Sequence, residues 1–352
     1  MPNPYTGKPD HQFWRRSVAG RGPDAVDPVV AAPWRIAPSD RIVTAGSCFA
    51  QHIARTLAAS GYNYLVTEGS PAHSFSGTEQ YGLFSARYGN VYTVRQLLQL
   101  FDRAYALFEP VSVAWRRPDG RVVDPFRPSV TSFADKDELI AERDAHLEAV
   151  RAAFELADVL VFTLGLTEAW IARKDGAVFP LAPGVVAAPR NAKGVLFANF
   201  SVAEMSADLA AFVGKLRSVN PGVRVILTVS PVPLAATYED AHVLTATTYS
   251  KASLRVVAEE AARTLPAVAY FPSYEIVTGP QARGAFWAED LREVTPEGVA
   301  RVMRLFSQHY LGGSVEASRP DPVAVPSAAS LAEQHALGQI ICDEELIEAA
   351  AR

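Results

Sequence analysis

The sequence predicts an α/β fold in which helices cover both faces of a five-stranded parallel sheet. Short runs rich in β-branched or aromatic residues alternate along the chain with segments of helical periodicity. The chain has 352 residues, of which 49% are hydrophobic, so it can bury a full core. Strands that alternate with helices favour a parallel sheet, because each parallel connection needs a crossover long enough to hold a helix.

Five runs bounded by turn or polar residues are predicted to be buried strands, and they cover residues 41–45, 62–66, 158–164, 223–230 and 268–271. The clearest helix is predicted over residues 136–157. Its apolar residues recur with a period of about 3.6, and they are Leu139, Ile140, Leu147, Val150 and Phe154. Two stretches, "VAWRRPDGRVVDPF" and "AWIARKDGAVFPLAP", carry Asp-Gly between strand-like residues. This pattern predicts hairpins inserted at the rim of the sheet.

The chain divides by composition into three parts. Residues 1–40 are rich in Pro and Arg without periodicity, which predicts an arm lying over the main domain. The domain itself is predicted over residues 41–312. Residues 313–352 begin with a Pro/Ser/Ala-rich linker and end in an amphipathic helix that carries Cys342. This tail is expected to pack either on the body of the domain or on a second copy of the chain, so a homo-oligomer is a hypothesis.

Charge and composition exclude several classes of function. The net charge is −5 and no cluster of Lys and Arg is present, which argues against nucleic-acid binding. The N-terminal stretch lacks the apolar core of a signal peptide and no segment approaches the length of a membrane span, so a cytoplasmic location is expected. Cys48 and Cys342 are expected to be free thiols. No Cys/His spacing resembles a zinc site, so no metal is predicted.

The stretch "GSC" lies where the first predicted strand ends and a helix begins. In doubly wound sheets ligands bind beyond the carboxyl ends of the strands, which makes Cys48 a candidate nucleophile. A thiol at a helix N-terminus is expected to have a lowered pKa and a larger thiolate fraction. The alternative is that Cys48 is a small buried apolar side chain.

Five stretches taken together add a family resemblance to this interpretation. They occur in the order "TAGSCFAQHIARTL", "RYGNVYTVRQLLQL", "FTLGLTEAW", "TVSPVPLAAT" followed by "YSKASLR", and "YFPSYEI". On these motifs the chain resembles the GSCFA family from about Arg41 to Phe306. The resemblance implies an SGNH-hydrolase-like fold, which is a flavodoxin-like three-layer α/β/α sandwich. It also implies an esterase or acyltransferase that acts on O-acyl groups of a glycan or a related small molecule in bacterial polysaccharide biosynthesis.

The resemblance assigns the nucleophile by alignment. The Gly-Asp-Ser block of SGNH enzymes, laid over Gly46, Ser47 and Cys48, puts Cys48 at the attacking position. A shift of one residue selects Ser47 instead. Cysteine is already partly thiolate whereas serine needs a general base, so the chemistry favours Cys48.

The oxyanion of acyl transfer needs donors that are fixed in place. The backbone N–H of Cys48 is one candidate. By resemblance the second block contributes Gly89 and Asn90. The third block contributes Gly165, Thr167 and Glu168. Lys251 in "YSKASLR" is a candidate contact for an anionic or polyol group of the substrate. The alternatives are that both glycines serve only tight turns and that Lys251 lies on a solvated helix face.

The general base is where the sequence departs from the pattern. SGNH enzymes carry Asp-x-x-His before the last helix, and here Asp290 matches while Glu293 stands at the His position. A carboxylate beside Cys48 would raise the thiol pKa. Glu293, His73 and His242 remain candidate bases. His52 is expected to point into the layer below.

Two functions follow as hypotheses. The first is acyl transfer through a thioester on Cys48, with no cofactor and with acyl-coenzyme A as one candidate donor. The second is a catalytically degenerate protein that binds a glycan or acylated ligand, as the replacement of His by Glu293 suggests. A partner protein within a biosynthetic complex is a third interpretation.

Overall fold

The computed structural model describes residues 3–69, 80–312 and 342–351. Its helices are α1 (Trp14–Ser17), α2 (Ala50–Ala59), α3 (Val94–Ala104), α4 (Lys136–Leu156), α5 (Val202–Val219), α6 (Val243–Thr264), α7 (Ser273–Thr278), α8 (Pro296–Tyr310) and α9 (Glu345–Ala350). Its strands are β1 (Ile42–Gly46), β2 (Trp115–Arg116), β3 (Val122–Val123), β4 (Val159–Leu164), β5 (Glu168–Ala172), β6 (Val178–Phe179), β7 (Val195–Asn199), β8 (Arg224–Val229) and β9 (Val268–Phe271).

The central sheet is parallel and has the strand order β1-β4-β8-β9. These four strands confirm the α/β class and correspond to four of the five strands that the sequence predicts. The remaining run, residues 62–66, makes only an isolated parallel bridge between Tyr64 and Ile42. The pairing stops there because Thr67 donates its N–H to the Ser85 carbonyl, 2.8 Å away, instead of continuing along β1.

Helices pack on both faces of this sheet. Side chains of consecutive strand residues point to opposite faces, and they join two separate apolar clusters. Residues such as Val43 and Leu227 pack with α3, α4, α5 and α6. Residues such as Ile42 and Ile226 pack with α2, α7 and α8. The strands are therefore buried on both sides, as their nearly continuous apolar sequences predict.

The predicted helix over residues 136–157 forms as α4. It begins at Lys136 because the side chain of Asp135 accepts hydrogen bonds from the N–H groups of Asp137 and Glu138, each 2.9 Å away. Leu139, Val150 and Phe154 bury its apolar face.

Both predicted hairpins form. The antiparallel pair β2–β3 turns through Asp119 and Gly120, and the antiparallel pair β5–β6 turns through Asp175 and Gly176. β7 pairs with β5 as well, so the second insertion is a three-stranded sheet. β5 begins four residues after β4 ends, which places this insertion at the carboxyl edge of the central sheet.

The two ends of the chain are described only in part. Ile36 is fully buried and forms a bridge with Leu311, so the segment before β1 contacts the end of α8. Of the predicted terminal helix the described residues contain α9, which begins at Glu345, so Cys342 lies before the helix and not in it as predicted. Residues 313–341 lie outside the described residues. Within the described residues, no helix is long and apolar enough to cross a membrane. The division into arm, domain and tail stays a prediction.

Candidate functional site

Cys48 lies in the turn between β1 and α2, at the carboxyl end of the central sheet. The turn depends on Gly46, whose φ is +141° and whose added Cβ would lie 2.4 Å from the Thr163 carbonyl oxygen. Ser47 donates its N–H to the same oxygen, 3.1 Å away. This close approach fixes the turn against β4 and sets the position of Cys48.

The thiol of Cys48 is buried and contacts the thiol of Cys342. The two side chains share a hydrogen bond, and both cysteines are free. This hydrogen bond, burial and the nearby Glu344 raise the pKa of Cys48 well above its usual value, while Arg292 opposes the shift. The lowered pKa expected for Cys48 is therefore wrong, because the hydrogen bond to Cys342 and burial raise it.

Three consecutive residues of the C-terminal segment cover the candidate nucleophile, and all three are buried. Asp343 accepts a hydrogen bond from the side-chain amide of Asn90, 3.0 Å away. The Arg292 guanidinium lies 3.5 Å from the sulfur of Cys342 and 3.4 Å from a carboxylate oxygen of Glu344. This segment, Cys342–Glu344, is called the tail plug below.

Sequence reasoning allowed the tail to pack on the body, but it missed the contact of the tail plug with Cys48 and it missed Arg292. The plug is separated from Cys48 by most of the chain, and no motif in the sequence pairs the two. The one available signal was that Cys342, in a predicted amphipathic helix, is the second of only two cysteines.

Lys251 is buried close enough to Cys48 for the two charges to interact, and its predicted contact with a substrate stays a prediction. Its side chain is only 2% exposed, and Nζ donates to the Gly165 carbonyl oxygen, 2.5 Å away. Burial lowers its pKa to about 8, although the charges of Glu344 and Cys48 oppose the shift. Gly165 packs against the nucleophile turn, since an added Cβ would lie 3.1 Å from the Cβ of Ser47. Lys251 is thus a buried cation within electrostatic range of Cys48 and not part of a solvated face.

Several buried hydroxyls near Cys48 lack a hydrogen-bond partner within residues 3–69, 80–312 and 342–351. They include Ser47, Thr163, Thr167 and Ser230, which lie at or just beyond the carboxyl ends of β1, β4 and β8, together with Tyr92. A buried polar group without a partner is costly. Their oxygens are fully enclosed by the described residues, so a bound molecule would reach them only if this part of the fold opened.

Two other predicted residues make contacts outside this cluster. Glu168 accepts hydrogen bonds from Thr237 Oγ1 (2.6 Å) and the Tyr238 N–H (3.2 Å). Gly89 has a φ of +67° and packs near Val130, as a tight turn requires.

Of the histidines considered from the sequence, the structure describes His242 and His52. His242 is exposed, and its Nδ1 accepts from the Leu244 N–H, 3.2 Å away, so it caps α6 and is not placed to act as the base. His73 lies outside the described residues. His52 lines the same cavity as Cys48, so the expectation that it points into the layer below is wrong. Burial and the neighbouring Arg55 lower the pKa of His52 to about 4, which keeps its ring neutral at pH 7.

The cavity beside Cys48 has a volume of about 860 Å³. Phe49, Val299 and Met303 supply apolar wall, and both cysteines reach its surface. Asp290 and Glu293 line it too, and both are exposed. Asp290 accepts from the N–H groups of Arg292 and Glu293, each 3.0 Å away, which shapes the loop before α8 and lowers the Asp290 pKa. The volume is that of a small-molecule site.

The chain matches the model of a known protein family. The model of the GSCFA family matches residues 41–306, which is most of the chain. No curated protein matches. The matched range contains β1, the Cys48 turn, the sheet and the loop before α8, but it ends before the tail plug.

Proposed function

Because the chain belongs to the GSCFA family, we propose that it is an acyl esterase or acyltransferase acting on O-acyl groups of a glycan or related small molecule. Its fold is then the three-layer flavodoxin-like arrangement of SGNH hydrolases, with the 62–66 segment beside β1 at the edge of the sheet. The observation that carries the proposal is the position of Cys48. It lies at the carboxyl end of β1, in the wall of a cavity of about 860 Å³ that also presents a neutral histidine.

The reaction divides into two steps. The Cys48 thiolate attacks the ester carbonyl carbon and forms a thioester, while the alcohol leaves with a proton. Water or an acceptor hydroxyl then attacks the thioester carbon, and the thiol is regenerated with the proton of that hydroxyl. The choice between water and acceptor decides between hydrolysis and transfer.

Cations and a neutral imidazole support formation of the thiolate. Arg292 lowers the pKa of Cys48, and the charge of Lys251 interacts favourably with a Cys48 thiolate. His52 is neutral at pH 7 and shares the cavity with Cys48, so it is the candidate acceptor of the thiol proton. In this assignment His52 takes the role that the Asp-x-x-His pattern gives to the position held here by Glu293, and Glu293 stays the alternative base.

Donors for the developing oxyanion are present at the same place. The Cys48 N–H makes no hydrogen bond within the described part of the chain. The Asn90 amide already donates to a carboxylate oxygen of Asp343, so it can donate to an anionic oxygen of a substrate. Donors held in a buried site stabilise the transition state because they need no reorganisation.

The second candidate is a binding protein without chemistry. Two observations favour it: the pKa of Cys48 is raised while the tail plug covers it, and Glu293 stands where the family pattern has histidine. In that case the cavity of about 860 Å³ beside Cys48 holds a ligand that is not transformed.

The test is intact-protein mass spectrometry, with turnover assays, after incubation with p-nitrophenyl acetate or acetyl-coenzyme A. We expect Cys48→Ala to abolish the acyl adduct and to lower turnover by about a thousandfold or more. Ser47→Ala should keep most of the turnover. Cys342→Ser removes the second thiol that lines the cavity, and peptide mapping of the native chain identifies which sulfur is acylated.

The outcomes separate the two candidates. An acyl adduct that survives in Cys48→Ala contradicts the assignment of the nucleophile. Absence of both adduct and turnover in the native chain, with ligand affinity unchanged in Cys48→Ala, supports the binding protein instead.

The remaining parts of the proposal concern partners and location. We propose a cytoplasmic enzyme that needs no bound cofactor, with acyl-coenzyme A as a candidate donor substrate. The acidic net charge of −5 accords with a small-molecule or glycan substrate rather than a nucleic acid. A homo-oligomer formed through the C-terminal helix stays a hypothesis.

A further inference from the structure

The chain has only two cysteines, and the fold brings them together from opposite ends of the sequence. Cys48 is 4% exposed and Cys342 is 8% exposed, and the two thiols share a hydrogen bond. Both also line the cavity of about 860 Å³. The pair is thus shielded from bulk solvent but reachable by a small molecule that enters the cavity.

The surroundings make the two sulfurs chemically different. The Arg292 guanidinium lies 3.5 Å from Cys342 Sγ. The hydrogen bond from Cys48 and the Arg292 charge lower the pKa of Cys342, against burial and the charge of Glu344. Cys342 is therefore the better thiolate and the first of the two to react with an electrophilic sulfur.

We propose that Cys48 and Cys342 form a redox-active dithiol that a small disulfide such as oxidised glutathione converts to an intramolecular disulfide. The Cys342 thiolate attacks one sulfur of the small disulfide, forms a mixed disulfide and releases one thiolate. Cys48 loses its proton, attacks the Cys342 sulfur and releases the second thiolate. Two electrons pass from the protein to the small disulfide, whose two halves leave as thiols once protonated.

The disulfide has a consequence for the site. It removes the free thiol at position 48, and it fixes the tail plug over Asn90 and Arg292, which Asp343 and Glu344 already contact. Oxidation then blocks acyl transfer reversibly. This consequence rests on the proposed function, whereas formation of the disulfide does not.

The experiment maps disulfides in the full chain. The reduced protein is incubated with oxidised glutathione, quenched by alkylation, digested and analysed by mass spectrometry. We expect a cross-linked pair of peptides that contain Cys48 and Cys342, with a mass lower by two hydrogen atoms than the reduced pair. Dithiothreitol should reverse it. A native chain that retains both free thiols, carries glutathione on both cysteines or links two chains together overturns the proposal.

Two variants test whether cross-linking requires the contact between Cys48 and Cys342 or only a second thiol in the C-terminal segment. Cys48→Ser should stop at the mixed disulfide on Cys342, because the resolving thiol is missing. As a matched control, Glu348→Cys in a Cys342→Ser background places a thiol on the exposed face of α9, and it should not cross-link to Cys48. A cross-link at that position as fast as in the native chain contradicts the proposed geometry.

Substitutions of Arg292 test whether the Cys342 thiolate is the first to attack the small disulfide. We expect Arg292→Gln to slow formation of the mixed disulfide about tenfold, because the Cys342 thiolate loses its cation. Arg292→Lys should recover part of the rate. Disulfide mapping does not depend on turnover, so it tests the proposed disulfide even if the chain is a binding protein. Turnover before and after oxidation, each relative to the reduced form of the same variant, tests the link to activity separately.

Discussion

At the residue scale, Gly46 is the residue on which the position of Cys48 depends. Its φ of +141° lies in the region that residues with a Cβ rarely adopt, and β4 leaves no room for a side chain. The motif "GSC" thus has a structural and a chemical part. Gly46 permits the close approach of β1 to Thr163, and Cys48 occupies the place that this approach creates.

We predict that Gly46→Ala destabilises the fold by about 3 kcal/mol or more, because it combines backbone strain with overlap against Thr163. Gly120→Ala is the matched control. Gly120 also has a positive φ, +86°, but an added Cβ meets nothing within 4 Å, so we expect strain alone, about 1–2 kcal/mol. Urea unfolding measures both. Equal losses of stability would show that the contact with Thr163 is not the cause.

At the element scale, the C-terminal segment determines the electrostatics of the site. Cys342 and Glu344 both raise the pKa of Cys48, and Arg292 lowers it. The reactivity of the nucleophile is therefore set by an element from the far end of the chain.

We predict that Glu344→Gln increases the rate at which iodoacetamide alkylates Cys48 at pH 8 by about fivefold, since it removes a nearby negative charge and frees Arg292 from its ion pair. The comparison is made in a Cys342→Ser background so that one thiol is measured. Glu348→Gln, on the exposed side of α9, is the control and should leave the rate unchanged. If both substitutions have the same effect, Cys48 does not sense Glu344 specifically.

At the scale of the whole molecule, buried histidines couple folding to pH. His146 is 2% exposed and its Nδ1 lies 2.6 Å from a carboxylate oxygen of Glu68. Burial is the largest cause that lowers its pKa from 6.5 to about 4, and His52 shows a similar shift. Between pH 4 and pH 6.5 these histidines bind protons in the unfolded chain but not in the folded chain. Stability is therefore lost as the pH falls from about 6.5 towards 4.

We predict that the free energy of unfolding falls between pH 7 and pH 4.5, with about 3 kcal/mol as the upper limit from each of the two histidines. His146→Gln should give a shallower dependence on pH than the native chain, and addition of His52→Gln a shallower one still. Urea unfolding at a series of pH values measures the slope. An unchanged slope in the double variant would contradict the assignment.

Local patterns predicted much of the fold and part of the site. The period of apolar residues in α4, the Asp-Gly turns and the apolar runs of β1, β4, β8 and β9 are properties of neighbouring residues, so the sequence is enough to find them. The same holds for Cys48, which follows β1 directly. The GSCFA resemblance, which the family model confirms over residues 41–306, also rests on short local motifs.

Tertiary structure alone decided the rest, because those contacts join residues far apart in the chain. The run 62–66 has the composition of a strand, but its chain turns away to pair with Ser85. His242 serves as a helix cap, while His52 faces the cavity. The contact between Cys48 and Cys342 depends on where the chain places its last described helix. No local period or spacing encodes that position, so only the folded chain shows that its two thiols meet.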